Sequence, residues 1–577
     1  MATVTGATQV AEENEEPKAH QIAAPDDDGP RYPRRVQMLT MAGVLMVMLL
    51  AMLDQTIVGT AMPRVIADLN GFDRYTWVTT AYLLTSTVMV PVYGKISDMF
   101  GRKPILLVAT LLFLAGSALS GAAQTMTQLI FFRAFQGIGA GGLMPIAIAV
   151  VGDIFTPRER AKWQGVTGAV FGLAAIIGPS VGGFITDNLT WRWVFYVNLP
   201  TGAAALAVLI FLMPTLRSEK RKAIVDYIGV ALLIAGAVPL LLGFSMAGVQ
   251  YDWNSPQIIG LFIGAVLGLA AFFIYEGWLE HRGGQPIIEP TLFKHPIFTV
   301  SVVVTMIFGM GLFGSIGFIP LFMQGVVGTS ATNSGLLLTP LMLTSIVGSI
   351  VSGQLVARLG KYKWIAVVGV VITLLGSLTL LRLNVNSTST DVVLAMLVLG
   401  LGMGTGMSLY TLIVQNALPK KIGQASAALI FFRSIGSTVG LAAMGSVLNS
   451  SYLTAYHNAL PGAVKQVVPE KVLSTFDNPQ ILLSPEAQTQ LHQSFAQGGP
   501  QGLALLNTIL EAVKTGLAGS IHNIFLLSLG VTVLSLVAVL FLKEIPLRGG
   551  RGKAAENPAV AAGEAEPTGE GAMATMI

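Results

Sequence analysis

The sequence predicts an all-α integral membrane protein with fourteen transmembrane helices, and three observations lead to that class. The chain has 577 residues, of which 53% are hydrophobic and only 11% are charged, whereas soluble domains carry about 25% charged residues. The apolar residues fall into runs of about 20, the length that crosses a bilayer core as a helix. Mostly short, charged connections separate these runs. A soluble core could not bury so much apolar sequence, so the chain is predicted to be polytopic.

Hydropathy defines the spans, and the distribution of cations sets their direction. Of the 34 Lys and Arg residues, 25 fall on the side that holds both termini, 7 fall on the opposite side, and 2 lie within spans. The excess of cations predicts that both termini are cytoplasmic. The predicted spans are 37–59, 75–93, 104–123, 126–150, 163–186, 193–213, 226–246, 257–276, 297–318, 331–357, 364–382, 391–416, 424–448 and 520–542.

An internal repeat divides the chain into two halves. The charged stretch Gly94–Lys103, interpreted as a tight loop between spans 2 and 3, has a weaker copy 259 residues later at Gly353–Tyr362. Gly178–Gly182 has an echo 258 residues later at Gly436–Gly440. Spans 1–6 then match spans 9–14, and spans 7 and 8 are an inserted pair. Two repeated membrane halves are the layout of a transporter with its site at the repeat interface.

The repeat predicts the domain boundaries. Residues 36–214 form the first six-helix half, 215–280 the inserted pair, and 281–545 the second six-helix half. Residues 1–35 and 546–577 are predicted to be disordered cytoplasmic tails. The stretch 449–519 is predicted to be a long extracytoplasmic loop, and its last part has helical spacing that favours an extension of span 14. Two interpretations remain open for it, a solvated insertion or a rim that guides an amphiphilic substrate.

Several motifs resemble the major facilitator superfamily, and within it the fourteen-helix drug:proton antiporter family, over about residues 36–545. The first-loop motif G-x-x-x-D-x-x-G-R-K is complete at 94–103, and R-x-x-Q-G-x-G stands at 133–139. The antiporter motif G-P-x-x-G-G occupies 178–183. The stretch 191–202 (WRWVFYVNLPTG) resembles the fourteen-helix branch, as does 53–58 (LDQTIV). The resemblance implies the major facilitator fold and a multidrug efflux permease.

A buried acid and a buried cation are the predicted proton-coupling residues. Asp54 lies in span 1 and Arg133 in span 4, about 8 Å and 10 Å from the outer ends of their helices. An isolated charge at that depth is costly, so we expect the two side chains to interact, directly or through Gln136. Protonation of Asp54 would loosen the pair and bias the halves toward the other access state. The alternative is a static structural ion pair.

Two further groups of residues are assigned from the motifs. Gly94, Asp98, Gly101, Arg102 and Lys103 form the cytoplasmic gate motif, in which the resemblance implies a charge latch and Asp98 could cap a helix of the other half. The alternative is a simple stop-transfer turn. Gly178, Pro179, Gly182 and Gly183 are expected to break span 5 and to form a pliable contact between the halves, or ordinary small-residue packing.

The substrate cavity is predicted to include Gln55, Gln136 and Arg433. Arg433 lies about 14 Å into span 13. It could meet an anionic head group, share Asp54 across the cavity, or bind backbone carbonyls.

The predicted function is a proton-coupled antiporter that exports amphipathic small molecules across the inner (cell) membrane by alternating access. The alternative is export of lipids, siderophores or another dedicated amphiphile. The sequence has no G-x-x-x-x-G-K-[ST] loop for ATP drive and no cluster of residues typical of a membrane enzyme. No catalytic residue, cofactor, metal site or nucleic-acid partner is predicted. The expected partners are the substrate, protons and the lipid bilayer; we predict a monomer, with an accessory export partner as an open alternative.

Overall fold

A computed structural model gives the fold. It describes residues 32–69, 74–214, 224–248, 250–329, 338–477, 482 and 485–547. The predicted tails therefore lie almost wholly outside the described residues, and so does the charged stretch 217–222 between spans 6 and 7.

The described chain is built from helices joined by short connections. Proline begins many of them, where its missing N–H would be unpaired in any case. The helices are α1 (Arg34–Leu69), α2 (Tyr75–Phe100), α3 (Arg102–Gly121), α4 (Met126–Ile154), α5 (Pro157–Asn188), α6 (Trp193–Tyr196), α7 (Asn198–Leu212), α8 (Tyr227–Met246), α9 (Pro256–His281), α10 (Pro296–Phe322), α11 (Thr339–Leu359), α12 (Lys363–Leu380), α13 (Ser389–Ala417), α14 (Ile422–Ala459), α15 (Gly462–Val467), α16 (Glu470–Leu473), α17 (Pro485–Ala496) and α18 (Gly499–Leu540).

The number of spanning helices agrees with the predicted fold class. Thirteen segments of the described chain are long and apolar enough to cross a membrane, with α6 and α7 counted as one. The segment that falls short is α2, which has 26 residues but carries many hydroxyl groups and the charged motif. Helix α2 packs between α4 and α14. Neighbouring helices therefore cover its polar side chains, and it needs less apolar surface than a helix that faces lipid. With α2 included, the described chain has fourteen spanning segments.

Two groups of helices repeat the same packing. In the first group α1 packs on α5, α2 on α4, and α3 on α4 and α7. In the second group α10 packs on α14, α11 on α13, and α12 on α13 and α18. The groups meet where α2 contacts α14 and where α5 contacts α11. The repeat seen in the sequence is therefore also a repeat of helix contacts.

The pair α8 and α9 lies outside this repeat. The two helices pack mainly on each other, and α8 also contacts α2 and α14. Those two helices belong to different groups. The inserted pair therefore lies against the seam between the groups, next to the connection 282–295 that leads into α10.

The structure corrects two local predictions. The stretch 94–103 is not a loop, because α2 continues to Phe100 and α3 begins at Arg102. Only Gly101 separates them, with a φ of 95° that favours glycine. Pro179 does not break span 5, because α5 runs without interruption from Pro157 to Asn188. A membrane helix tolerates one missing backbone hydrogen bond when its neighbours pack closely.

The predicted long loop 449–519 is largely helical where it is described. Helix α14 has 38 residues and α18 has 42, so both extend well beyond the roughly 20 residues that cross a bilayer. The extensions pack together through buried side chains, including Tyr456 on α14 and Val513 on α18. The segment before span 14, for which helical spacing was expected, therefore forms one continuous helix with that span.

Candidate functional site

A buried polar network in the first group of helices surrounds Asp54. The Arg133 Nη1 atom lies 2.8 Å from Asp54 Oδ2, and neither side chain is exposed by more than 1%. The Gln136 side-chain amide donates to Asp54 Oδ1 over 2.9 Å, and the Asn198 amide donates to the same oxygen over 2.8 Å. Helices α1, α4 and α7 therefore meet at one carboxyl group. The structure brings together the two residues predicted for proton coupling.

Glycines on α4 allow this network to be compact. A Cβ atom added at Gly137 would overlap Thr85 and the Tyr82 carbonyl on α2. One added at Gly139 would overlap the backbone of α3 at Phe113. Helix α4 is thus held tightly between α2 and α3, and Arg133 lies with its guanidinium carbon 3.9 Å from the centre of the Tyr82 ring. The glycines of the R-x-x-Q-G-x-G motif place the arginine and the glutamine where they reach Asp54.

Three donors converge on the Asp54 carboxyl group. Arg133, Gln136 and Asn198 all donate to its oxygens. Helices α1, α4 and α7 are therefore joined through hydrogen bonds to one side chain, and removal of any donor would weaken that connection.

Sequence reasoning missed two members of the network. The Asn198 amide also donates to Ser117 Oγ over 3.0 Å, and the Ser117 hydroxyl donates to the Phe195 carbonyl over 2.9 Å. Asn198 lies in the stretch 191–202 that carried the family resemblance. Asn198 is an uncharged polar side chain inside the predicted span 193–213, and that position is the signal that could have identified it.

The other predicted cavity residues are dispersed. Gln136 is fully buried within the Asp54 network. Gln55, which was also predicted to line the cavity, is exposed on α1. Arg433 is half-buried on α14, and a Cβ atom added at Gly309 of α10 would lie 3.3 Å from its Cγ atom. Among the residues that the structure describes, no hydrogen bond or ion pair joins Arg433 to Asp54.

A second constellation joins the two groups of helices. Asp98 at the end of α2 accepts hydrogen bonds from the backbone N–H groups of Gly423 and Gln424, over 3.2 Å and 2.8 Å. Both N–H groups lie in the first turn of α14, where they have no partner within the helix. A carboxylate at a helix N-terminus also interacts favourably with the helix dipole. We call this contact the latch.

The remaining residues of the gate motif support the latch. Arg102 pairs with Asp98, and its Nε atom lies 2.7 Å from Asp153 Oδ2 at the end of α4. Lys103 donates to the carbonyls of Ile210 and Met213 at the end of α7. Gly94 lies against Gly423, where any side chain would overlap the facing helix. The motif therefore joins α2 to α14 while Arg102 and Lys103 hold its own group together.

The antiporter motif packs differently from the expectation. Cβ atoms added at Gly178 and Gly182 would overlap Thr56 and Thr60 of α1, a helix of the same group. A Cβ atom added at Gly183 would have no atom within 4 Å. The glycines of α5 that face the other group lie nearer its start, at Gly165, Gly168 and Gly172. The predicted contact between the halves at Gly178 and Gly182 is therefore wrong, because both glycines lie on the face of α5 that packs against α1; the alternative of ordinary small-residue packing agrees with this position.

Comparisons with known proteins agree with this architecture. A family model described as Major Facilitator Superfamily matches residues 44–441. The chain is 39% identical over 523 residues to multidrug transporter protein MdtP of Bacillus subtilis (strain 168), covering 88% of this chain and 93% of that protein. It is 36% identical to multidrug resistance protein 3 of the same organism, covering 87% and 94%.

Solved structures show the same fold. The human organic anion transporter MFSD10 (TETRAN) matches with a TM-score of 0.56 at 15% identity, covering 88% of this chain and 100% of that chain. An apolar bundle with repeated helix packing and a buried ion pair defines a polytopic membrane transporter. The chain belongs to the major facilitator superfamily.

Proposed function

We propose that the protein is a proton-coupled antiporter that exports amphipathic small molecules across the cytoplasmic membrane by alternating access. The relatives named as multidrug transporters support the export of drug-like molecules. The observation that carries proton coupling is the Asp54 network, a buried carboxyl group whose bonds to α4 and α7 depend on its charge.

The proposed cycle uses the network and the latch in turn. With Asp54 ionised, α1, α4 and α7 are held together; a proton on Asp54 releases a donor and loosens them. The latch closes the bundle at the Asp98 end, and the cation distribution supports placing that end, with both termini, in the cytoplasm. Closure there lets substrate leave to the outside. The protein is proposed to act as a monomer; the alternative is a monomer that works with an accessory export partner.

The test is substrate efflux from proteoliposomes under an imposed pH gradient, with ethidium as the probe. A gradient of one pH unit supplies about 1.4 kcal/mol per proton, so one-for-one exchange would sustain about a tenfold substrate gradient. The parent protein should show gradient-driven transport, and Asp54→Asn should lose it while still binding ethidium. Glu511→Gln, an exposed acid on α18, is the matched control and should transport normally. Undiminished pumping by Asp54→Asn would place the proton site elsewhere.

A dedicated amphiphile such as a lipid or siderophore is the second candidate, and the long helices favour it. At 1.5 Å per residue, α14 and α18 exceed the bilayer by several turns and pack together at the end opposite the latch. Such an extension would shield an apolar substrate after release. Absence of ethidium efflux from the parent, with transport of a fluorescent lipid in the same vesicles, would favour this candidate.

A further inference from the structure

Two carboxyl groups of the inserted pair face each other next to the latch. Asp226 precedes α8, and its Oδ1 atom accepts the Gly229 N–H over 2.8 Å as the helix cap. Glu276 lies on α9 with no exposed surface, and its Oε2 atom accepts the Ile287 N–H over 2.9 Å. Each carboxyl group thus uses one oxygen to bind the backbone and has one oxygen left over.

The two remaining oxygens lie together. A Cβ atom added at Gly229 would overlap both Asp226 Oδ2 and Glu276 Oε1, so the two oxygens border the same small space. Both oxygens are buried, and neither has a donor among the residues that the structure describes. Two carboxylate oxygens cannot bond to each other without a hydrogen between them. A proton on either oxygen would allow the two carboxyl groups to form a hydrogen bond with each other.

The surrounding charges do not replace that proton. The ionisable groups that face the pair are the Tyr275 phenol beside Asp226 and, more distantly, Lys95 on α2. Lys95 is already engaged, because its Nζ atom lies 3.2 Å from Glu289 Oε1. Glu289 in turn pairs with Lys421 just before α14. No cation therefore bonds directly to Asp226 or Glu276 within the described chain.

A short chain of hydrogen bonds connects the pair to the latch. Glu276 binds the N–H of Ile287, and the Ile287 carbonyl accepts from the Gln424 side chain over 2.7 Å. The backbone N–H of Gln424 donates to Asp98. The connection 282–295 is thus held by α9 on one side and by both latch helices on the other. Movement of Glu276 would therefore displace Ile287 and, through it, Gln424, whose N–H group binds Asp98.

We propose that Asp226 and Glu276 share a single proton and that this protonated pair holds the latch closed. When the pH on that side rises, the proton leaves to water and two carboxylates face each other at close range. Their repulsion separates the ends of α8 and α9, frees Ile287, and weakens the contact of Gln424 with Asp98. The inserted pair then acts as a pH-sensitive control of the gate, separate from Asp54.

Infrared difference spectra of the full-length protein test the shared proton directly. In an Asp54→Asn background, which removes the buried acid of the Asp54 network, a carbonyl band of a neutral carboxylic acid should be present at neutral pH and disappear as the pH rises. Glu276→Gln and Asp226→Asn should each remove the band, and Asp252→Asn, an exposed acid between α8 and α9, should leave it. A spectrum with no such band, or a band that survives both substitutions, overturns the proposal.

The gate itself gives the second readout. The chain has no cysteine, so spin labels can be attached specifically at Phe100→Cys and Lys420→Cys. Both positions are exposed; Phe100 ends α2 and Lys420 lies just before α14. Raising the pH should lengthen the distance between the labels in the parent.

Glu276→Gln should hold the short distance at every pH, because its amide donates permanently to Asp226. The ratio of closed to open molecules should differ more than tenfold from the parent at high pH. If Glu276→Gln does not fold, Asp226→Asn makes the same prediction, since its Oδ1 atom can still cap α8. A pH profile that matches the parent in either variant contradicts the proposal.

Discussion

The latch predicts a measurable shift of the gate when Asp98 is replaced by asparagine. The substitution keeps the shape of the side chain but removes its charge, so the two bonds to the Gly423 and Gln424 N–H groups weaken. Hydrogen bonds to charged groups contribute about 1.5–3 kcal/mol each, and a charge at a helix N-terminus adds about 0.3–1 kcal/mol. Because an asparagine oxygen still accepts, we expect a net loss of about 2 kcal/mol, or roughly 30-fold in the closed-to-open ratio.

The assay is the distance between spin labels at Phe100→Cys and Lys420→Cys, measured in lipid nanodiscs at fixed pH. Asp98→Asn should move much of the population to longer distances. Asp153→Asn is the matched comparison, because Asp153 also pairs with Arg102 but forms no hydrogen bond with α14 in the part of the chain that the structure describes. An equal shift in both variants, or none in Asp98→Asn, would refute the assignment of Asp98 to the contact between the two groups of helices.

Three further predictions follow from single contacts. Asn198→Ala removes one donor from the buried Asp54 carboxyl group, so it should lower thermal stability by about 1–3 kcal/mol in an unfolding assay. Gly178→Leu should lower thermal stability by about 1–3 kcal/mol through overlap with α1, whereas Gly183→Leu, which has open space, should be tolerated in the same unfolding assay. Hydrogen bonds from Trp191 and from Arg192 lower the pKa of Asp68 below its ordinary 3.8, so Asp68→Asn should slightly destabilise the protein at neutral pH, and the difference should vanish as the pH falls through that lowered value.

The sequence predicted the parts of the site that depend on burial of charge. Asp54 and Arg133 were paired from their depths in two helices, because a lone charge inside a membrane needs a partner and few residues qualify. Asp98 was placed at a helix N-terminus of the other half from its motif. In both cases a charged side chain needed a partner of opposite charge or a helix N-terminus, and that need identified the kind of partner.

Other features depended on which face of a helix a residue occupies, and the sequence does not fix that. Gly178 and Gly182 were assigned to the contact between the halves, but they face α1, and Gly165 and Gly168 fill the predicted role. The pair of Asp226 and Glu276 was missed for a related reason. One residue caps a helix and the other lies near a helix end, so each resembles an ordinary acid at a membrane border until the packing of α8 on α9 is known.

Asp54 is proposed to be the group that exchanges protons for substrate. Proton release on binding measures this directly: ethidium is added to the purified protein in weakly buffered solution with a pH indicator. The parent should release up to about one proton per ethidium bound, and Asp54→Asn should bind ethidium and release none. Equal release from both proteins, or binding by the parent without any release, would contradict the account.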